Sequence, residues 1–373
     1  MKRIYLDYAS ATPVRKEALK AMMPYFSEEF GNPNSTHHYG AEALEAVEEA
    51  REKIAKTINA SPGEIVFTSG GTESDNLAVK GVAYAKMQQG KNIITTPIEH
   101  EAVANTCRYL GEKGFDITYL PVDVDGAVSA ADVRAKITPR TTLVTIMHAN
   151  NEVGTIQPIE DMFGIVTEKG VTTHSDAVQS YGLIPINVKS MKIDLLSVSA
   201  HRIGGPKGVG TLYVKEGTEL VPVLHGKDHE RGRRPGTLNV PGIVGFSVAA
   251  ELAMKEMKKE SKRQSKLRDL FTNYITENMK GVKLNGHPKK RLPNNINLSF
   301  DGITGDELVK ELDRHHIAVS TSSNSNILRV IGVTGEKAMG SVRITLGRET
   351  TEKDVRNVMH VLQKIVDDAR KKY

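Results

Sequence analysis

The sequence predicts an α/β protein in which a mostly parallel sheet, flanked by helices, is followed by a smaller α+β domain. The first observation is a series of short apolar strands between residues 64 and 214, with helical patterns between most of them. Strands that alternate with helices pair in parallel and are covered on both faces. The second observation is a long helical pattern from about Pro241 to Met279, whose middle is almost wholly polar. A helix of this kind often bridges two domains.

The elements of the first part are predicted in chain order. Residues 1–13 form an extended arm, and Pro13 begins a helix that ends near Met23. A loop rich in Gly, Pro and Asn at 31–38 precedes a helix over about 40–59, where apolar residues recur at helical spacing. The strands of the sheet are predicted at 64–68, 92–96, 116–120, 142–147, 171–175, 195–198 and 210–214.

The last part of the chain predicts a second domain. Its strands are expected at 283–284, 295–300 and 341–345, and its helices at 305–315 and 352–371. The N-terminal arm is expected to join this domain. The predicted division is therefore a large domain of residues 14–260 and a small domain made of residues 1–13 and 261–373.

Composition narrows the class of protein. Apolar residues are 39% and charged residues 25% of the chain, as in water-soluble globular proteins. The net charge of +5 is spread along the sequence, which favours solvated helix faces over a nucleic-acid-binding surface. No apolar run approaches the roughly 20 residues of a membrane helix, and the N-terminus lacks the apolar segment of a signal peptide. The single cysteine, Cys107, allows no internal disulfide and predicts a reducing, cytoplasmic setting.

A phosphate-binding turn is predicted where the strand at 64–68 ends. Gly70 and Gly71 turn the chain, and a helix begins at Thr72. Glycine lets the backbone approach a ligand closely, and the free N–H groups at the positive end of a helix suit a phosphate. An ordinary capped turn explains this segment equally well when it is taken alone.

Two further polar residues follow predicted strands. His100, taken alone, is more typical of a loop histidine than of a functional one. Asp176 lies at the carboxyl end of a strand that should be central, where a buried carboxylate needs a cation or several donors. A protonated pyridine nitrogen is such a cation, and its pairing with Asp makes a pyridoxal-phosphate (PLP) ring a better electron sink. The alternative is that Asp176 caps the next helix.

Several motifs fall at the carboxyl ends of the predicted strands, where α/β sheets bind ligands. They include FTSGGTESDNL at 67–77, MHANNEVG at 147–154, SDAVQS at 175–180, SAHRIGGPKG at 199–208 and SVRITLGR at 341–348. With these motifs the chain resembles, over nearly its whole length, the cysteine desulfurase (NifS/IscS) family. That family belongs to the class V aminotransferase-like, fold-type I PLP-dependent enzymes, and the resemblance implies the same fold.

The resemblance implies the groups that hold the cofactor. His100 would stack on the ring, Asp176 would pair with the pyridine nitrogen, and Gln179 would reach the ring hydroxyl. Thr237 would reach the phosphate in a partner subunit, which implies a homodimer with two shared sites. Within one subunit, the phosphate-binding groups would be Gly71, Thr72, Ser199 and His201.

The resemblance also implies a substrate site. Asn151 and Arg343 would hold the carboxylate of L-cysteine or a related amino acid, the arginine through a bidentate fork. Asn34 would lie in the loop that lines the entrance.

Two catalytic residues of that family are missing. Arg202 stands where the resemblance calls for the Schiff-base lysine, and a guanidinium stays protonated and cannot bind the cofactor covalently. Lys207 belongs to a different backbone site and is not expected to replace it. The loop over 318–326, where the family carries its sulfur-accepting cysteine, holds serines instead and is shorter. Cys107 is predicted to be a buried structural cysteine.

Three functions remain open from the sequence. The first is sulfur mobilisation from L-cysteine, with PLP held non-covalently and sulfur passed to an external thiol or a partner cysteine. The second is a non-catalytic scaffold or regulator that works with an iron–sulfur scaffold or another sulfur-acceptor protein, in iron–sulfur cluster assembly or tRNA thiolation. The third is another PLP reaction, such as that of a C–S lyase or an aminotransferase.

Overall fold

The structure is a computed structural model that describes residues 3–323 and 325–371. The strands are β1 (Ile4–Tyr5), β2 (Ile65–Thr68), β3 (Asn92–Thr95), β4 (Asp116–Tyr119), β5 (Thr141–Thr145), β6 (Thr172–Asp176), β7 (Leu195–Ser199), β8 (Gly210–Val214), β9 (Val282–Leu284), β10 (Asn295–Phe300), β11 (Ile317–Ala318), β12 (Ser320–Thr321) and β13 (Ser341–Thr345). The helices are α1 (Lys16–Met22), α2 (Pro24–Ser27), α3 (His38–Thr57), α4 (Gly71–Ala85), α5 (Glu101–Glu112), α6 (Ala130–Lys136), α7 (Ile159–Glu168), α8 (Val240–Asn278), α9 (Gly305–Arg314), α10 (Asn326–Val330), α11 (Gly335–Met339) and α12 (Glu352–Arg370).

Seven strands form the central sheet, in the order β2-β8-β7-β6-β5-β3-β4. The neighbours from β7 to β4 pair in parallel, and β8 runs antiparallel to both β2 and β7. Both faces are covered by helices, so nearly every residue of the inner strands is buried. The predicted α/β architecture with a mostly parallel sheet is confirmed. The strand bounds agree with the predicted ones to within one or two residues.

A second, four-stranded antiparallel sheet, in the order β12-β13-β10-β9, lies in the C-terminal part. The N-terminal arm reaches this part, because Ile4 of β1 pairs with Ile317 of β11 and the amide of Leu6 donates to the carbonyl of Ala318. Leu6 packs in the same apolar cluster as Phe271. The arm therefore packs with the C-terminal part, where β1 and β11 form a two-stranded sheet of their own. The domain division at residues 13 and 260 stays a prediction.

The long helix α8 links the two apolar cores. Its first third, through Ala253, packs in the core beneath the central sheet, and its last third, from Leu267, packs in the core of the small sheet. The residues between, 254–263, are partly or fully exposed. This explains the polar middle of the pattern. Among the described helices, none combines the length and the apolar character that crossing a membrane requires.

A buried ion pair ties the loop before Thr237 to the large sheet. The guanidinium of Arg51 donates to both carboxylate oxygens of Glu230, each at 2.8 Å, and the same carboxylate accepts from the amide of Phe67 at 2.7 Å. Glu230 and Arg231 both have left-handed backbone angles, with φ of 49° and 57°. Non-glycine residues adopt this region at a cost, so the ion pair holds a strained turn in place.

We expect Glu230→Gln to destabilise the protein by about 3–5 kcal/mol, because it leaves the buried Arg51 guanidinium without its counter-charge. Urea unfolding at one fixed protein concentration measures this loss. The double variant Arg51→Met with Glu230→Leu is the control, and it should lose less than the single variant since no charge is left unpaired. A loss below about 1 kcal/mol for Glu230→Gln would contradict the interpretation.

Candidate active site

The predicted ligand-binding residues meet in one cleft at the carboxyl ends of the parallel strands. The cleft lies beside the N-terminus of α4 and the turn that follows β7, a 3-10 turn over Ala200–Arg202. Its lining includes six of the predicted site residues outside that turn and both His201 and Arg202 within it. The lining residues are Gly71, Thr72, Asp75, His100, Met147, Asn151, Asp176, Val178, Gln179, His201 and Arg202.

The end of the cleft at Thr72 has the form of an anion cradle. Gly70 has a φ of 147°, and a Cβ on Gly71 would lie 2.7 Å from a methyl group of Val178, so this turn depends on glycine. Ser199 and His201 face the same turn and share a hydrogen bond of 2.7 Å between Oγ and Nδ1. Burial, with Arg202 and Lys207 nearby, lowers the pKa of His201 to about 4. The imidazole is therefore neutral at pH 7.

The ring end of the cleft brings Asp176 and His100 together. Polar atoms of Asp75, His100 and Asp176 all lie within 4.8 Å of one another. The Nδ1 atom of His100 accepts from the amide of Ala102 at 3.1 Å, so the imidazole caps α5 and its orientation is fixed. Asp176 accepts from the amide of Val178 at 2.8 Å in a tight turn. The alternative, that Asp176 caps a following helix, is wrong, because residues 178–180 form a turn and not a helix.

A second buried carboxyl group, that of Asp75, lies beside Asp176, and the sequence interpretation missed it. Burial and the nearby Asp176 carboxylate raise the pKa of Asp75 well above its usual value. Burial also raises the pKa of Asp176, while His100 and Arg202 oppose this shift. Two carboxylates this close do not both ionise, so Asp75 holds the proton and Asp176 holds the charge. Asp75 belongs to the motif at 67–77, but nothing in its spacing shows that it lies beneath Asp176.

Arg202 is the unusual residue of the cleft. Within residues 3–323 and 325–371 its guanidinium has neither a hydrogen-bonding partner nor an ion pair, and its Nε and Nη1 atoms are buried. Burial lowers the pKa of Arg202 to about 10, and the neighbouring Arg343 adds to this effect. The side chain stays charged at pH 7 and supplies no amine.

Arg343 and Asn151 lie beside each other at the substrate end. Arg343 donates to the carbonyl of Asn151 at 3.1 Å, to Asp7 at 3.1 Å and to the hydroxyl of Ser10 at 2.9 Å. Its Nε atom and the side-chain oxygen of Asn151 are buried and lack hydrogen-bonding partners in the described part of the chain. Gln179 is held by a bond of 3.2 Å from Nε2 to the carbonyl of Ala9. These positions agree with the predicted roles, which stay predictions.

Four predicted residues do not line this cleft. Ser199 and Arg343 contact residues that do, His201 and Asn151 respectively. The other two are Asn34 and Thr237. Asn34 is exposed, and its amide donates to Asn32 at 3.0 Å. Thr237 lines a separate small cavity with Ser69, Gly208 and Arg234. Thr237 is predicted to contact the phosphate bound in the partner subunit. A position outside the cleft of its own subunit is compatible with that prediction. The sequence interpretation did not find the ion pair of 2.8 Å between Arg234 and Glu73 of α4, which connects this segment to the glycine turn.

The loop at 318–326, where the resembling family carries a cysteine, holds serines in this chain. The strand β12 ends at Thr321, and α10 begins at Asn326. Asn324, within the predicted loop, lies outside the described residues. Cys107 is fully buried on α5, and burial raises the pKa of its thiol to about 12. The prediction that Cys107 is buried is confirmed, and its structural role stays a prediction.

The donor set of the cleft fits PLP at all but one contact. The glycine turn with Ser199 suits a phosphate, and the buried carboxylate of Asp176 suits a protonated ring nitrogen. The misfit is the covalent attachment, since a guanidinium stands in the turn after β7. The chain's own residues therefore provide donors and a carboxylate that suit PLP, without the amine.

The fold is that of fold-type I PLP-dependent proteins, and the chain belongs to the class V aminotransferase family, whose model matches residues 4–358. It is 49% identical to the cysteine desulfurase IscS of Dictyoglomus turgidum, over 99% of this chain and 96% of that protein. The solved structure of a NifS-like protein superposes with a TM-score of 0.95 at 41% identity, covering 98% of this chain and 100% of that one. The structure of SspA in complex with cysteine gives a TM-score of 0.82 at 38% identity, over 92% and 99% of the two chains.

These similarities confirm the family resemblance that was inferred from the motifs. Class V aminotransferases of the IscS and NifS type depend on PLP. The cysteine desulfurases among them use L-cysteine and are typically dimeric. The similarity supports a place in sulfur mobilisation for iron–sulfur assembly.

Glu99, which is buried next to His100, gives a test of the protonated layer beneath the cleft. Burial raises the pKa of this carboxyl to about 8 from the ordinary 4.5, although it accepts from the Thr96 hydroxyl and the Met147 amide. The folded protein therefore binds one more proton than the unfolded chain between about pH 4.5 and 8. The contribution of Glu99 to the free energy of unfolding is complete below that range, and it falls as the pH rises through the range.

Glu99→Gln abolishes this titration, so the stability of the variant relative to the parent protein should rise with pH, by up to about 1.4 kcal/mol per unit. Urea unfolding of both proteins at pH 5, 6, 7 and 8 gives the difference. Glu101→Gln, at the adjacent exposed carboxyl, is the control and should follow the parent curve. Parallel curves for Glu99→Gln and the parent protein would show that Glu99 is ionised in the folded state.

Proposed function

We propose that this protein binds PLP non-covalently, together with an amino acid, and that it acts in sulfur mobilisation. The observation that carries the proposal is a cleft in which the phosphate cradle and Asp176 are present while Arg202 stands in place of an amine. The relatives named cysteine desulfurase favour L-cysteine as the amino acid. Sulfur would pass to an external thiol or to a cysteine of a partner protein, because the only thiol of this chain is buried.

Each group in the cleft has a part in holding PLP, which supplies an electron sink when it is bound. Thr72, with the first amides of α4, and Ser199 would bind the phosphate. Asp176 would keep the ring nitrogen protonated, and the His100 imidazole, fixed by its bond to the Ala102 amide, would lie against the ring. The neutral His201 imidazole adds a donor to the phosphate without adding charge.

The proposed activity is slow in the isolated protein. Arg202 remains protonated at pH 7 and does not move protons to or from a substrate carbon. Loss of such an acid–base group typically costs about 10² to 10⁴ in rate. The covalent exchange that a lysine speeds is also missing. Turnover therefore depends on binding and orientation by the remaining groups.

A homodimer is part of the proposal. Thr237 and the cleft are separated within one subunit, so a second subunit would have to bring its own Thr237 to the phosphate. Large apolar side chains are exposed along the first helices of the chain, which is typical of a buried interface. These side chains are Val14, Leu19, Met23, Phe26, Phe30, Tyr39 and Leu44.

PLP binding is tested by absorbance titration, followed by borohydride reduction and mass spectrometry. The parent protein is expected to bind PLP without gaining covalent mass. Arg202→Lys should gain one reducible PLP adduct per chain at residue 202, because an amine then stands in the turn after β7. Asp176→Asn is the matched control and should weaken binding about tenfold or more, since the ring nitrogen loses its charged partner. A reduced adduct on Lys207 in the parent protein would contradict the proposal, as would the absence of PLP binding.

A non-catalytic scaffold is the second candidate function. Two features together favour it: position 202 holds a guanidinium, and the single cysteine is fully buried. A protein of this kind would keep the fold and the dimer, and would bind the other proteins of iron–sulfur assembly or tRNA thiolation. The cytoplasmic setting inferred from the single cysteine stays a prediction for both candidates.

Sulfide release from L-cysteine separates the two candidates. With PLP and dithiothreitol present, the proposed activity gives slow release that rises by roughly 10² or more in Arg202→Lys. Without dithiothreitol the release should be slower, since Cys107 is buried and the thiol of the excess L-cysteine is then the only acceptor of the sulfur. Release that is absent from both the parent protein and Arg202→Lys would favour the scaffold. Cys107→Ala is the control and should leave the rate unchanged.

A further inference from the structure

Three polar groups without partners lie together at the substrate end of the cleft. Two are donors, the Arg202 guanidinium and the Nε atom of Arg343, and one is an acceptor, the side-chain oxygen of Asn151. Buried polar groups are normally hydrogen-bonded, and an unmatched set in one place indicates a missing ligand or bound water. The set offers two cationic donors and one neutral acceptor.

The charges around these groups show which one needs a counter-ion. Arg343 already has Asp7 at 3.1 Å and the Ser10 hydroxyl at 2.9 Å. Arg202 has no such carboxylate in contact among the described residues, although Asp176 and Asp7 lie near enough to favour its charged form. Arg202 lines the cleft, and Arg343 contacts Asn151, which also lines it. The two guanidiniums lie near enough that Arg343 disfavours the charged form of Arg202. An anion between them relieves the repulsion and satisfies the unpaired N–H groups.

We propose that Arg202 and Arg343 form a two-guanidinium subsite that binds an acidic α-amino acid. The main carboxylate binds Arg343, the side-chain acid group binds Arg202, and the ammonium group donates to the side-chain oxygen of Asn151. This inference goes beyond the proposed function, because an acidic amino acid is a ligand of the cleft other than the L-cysteine that the relatives favour. A singly charged amino acid such as L-alanine would leave the Arg202 guanidinium unpaired.

A second cavity also borders Arg202 and is the other place where an anion could lie. It has a volume of about 550 Å³ and lies between the N-terminal arm, α8 and the segment 346–349. Four cationic side chains line it, which are Arg15, Lys16, Arg202 and Arg348, and four carboxylates line it too, which are Glu17, Glu256, Glu260 and Glu349. Arg15 already contacts Glu256 at 2.9 Å. Because these carboxylates balance the cations, an added anion has no net positive charge to neutralise there, so the cleft is the site.

The test is isothermal titration of the full-length, cofactor-free protein with L-aspartate, L-glutamate and L-alanine. At least one acidic amino acid should bind about tenfold or more tightly than L-alanine, since a charge-assisted hydrogen bond is gained. Arg202→Gln should remove this preference, and Arg202→Lys should keep part of it because a charge without the fork remains. Equal binding of acidic and neutral amino acids to the parent protein would overturn the inference, and so would an unchanged preference in Arg202→Gln.

Arg348→Gln is the matched control, because this arginine lines only the second cavity. The preference should survive in this variant, and its loss there would place the anion in the second cavity and overturn the inference. Thermal unfolding without ligand checks each variant. Arg202→Gln should be at least as stable as the parent protein, since it removes an unpaired buried charge.

PLP binding, measured by absorbance on the same samples, keeps this test separate from that of the proposed function. A protein that prefers acidic amino acids but binds no PLP would support the inference and contradict the proposed function. A protein that binds PLP without this preference would do the reverse.

Discussion

The cleft depends on one constraint, which is that two opposite charges are placed in a poorly solvated space at the ends of adjacent strands. Asp176 ends β6 and Arg202 follows β7, and these strands pair in parallel with Asp176 opposite Ser197. Parallel pairing sends both chain segments out of the sheet at the same edge, so the two side chains lie near each other there, without a hydrogen bond or an ion pair between them. In a low-dielectric environment their interaction exceeds that of a surface pair. The other residues of the cleft lie around this same edge of the sheet.

A layer of uncharged acids and imidazoles lies beneath the Asp176 carboxylate. Burial raises the pKa of Asp75 and Glu99, and burial lowers the pKa of His148 to about 4 and that of His174 to about 3. Each imidazole is held by hydroxyl groups, as with Ser197 and Ser180. Neutral groups of this kind can be buried at far lower cost than charges. The layer therefore leaves one negative charge, on Asp176, facing the cleft.

Much of the fold could be predicted from the sequence, because most inner strands are short segments rich in apolar or β-branched residues between clear turn signals. The long helix was also found in full, since its two apolar ends follow a helical period. The strands β11 and β12 and the helices α10 and α11 were missed. Each has two to five residues, too few for a period to appear. Such elements exist because neighbouring strands offer them hydrogen bonds, as β13 does for β12.

The cleft was predicted in part, and the limit has a physical cause. Residues that belong to a recognisable motif, such as Asp176 and His100, were identified from the sequence, and the fold places them together in the cleft. Asp75 and Glu99 were missed because their role arises only from burial beside another carboxylate, and a sequence does not show that distance. The pair formed by Glu73 and Arg234 was missed for the same reason, since 161 residues separate its members.

Replacing an amine by a guanidinium changes the chemistry of the cleft more than its shape. A lysine can release its proton when it is desolvated, whereas an arginine remains charged even with a pKa lowered to about 10. The positive charge beside Asp176 is therefore permanent in this protein. This charge cannot act as an acid–base group at pH 7, but it can bind an anion at any pH well below about 10. The turn after β7 therefore contributes a positive charge and no amine to a cleft whose other residues suit PLP.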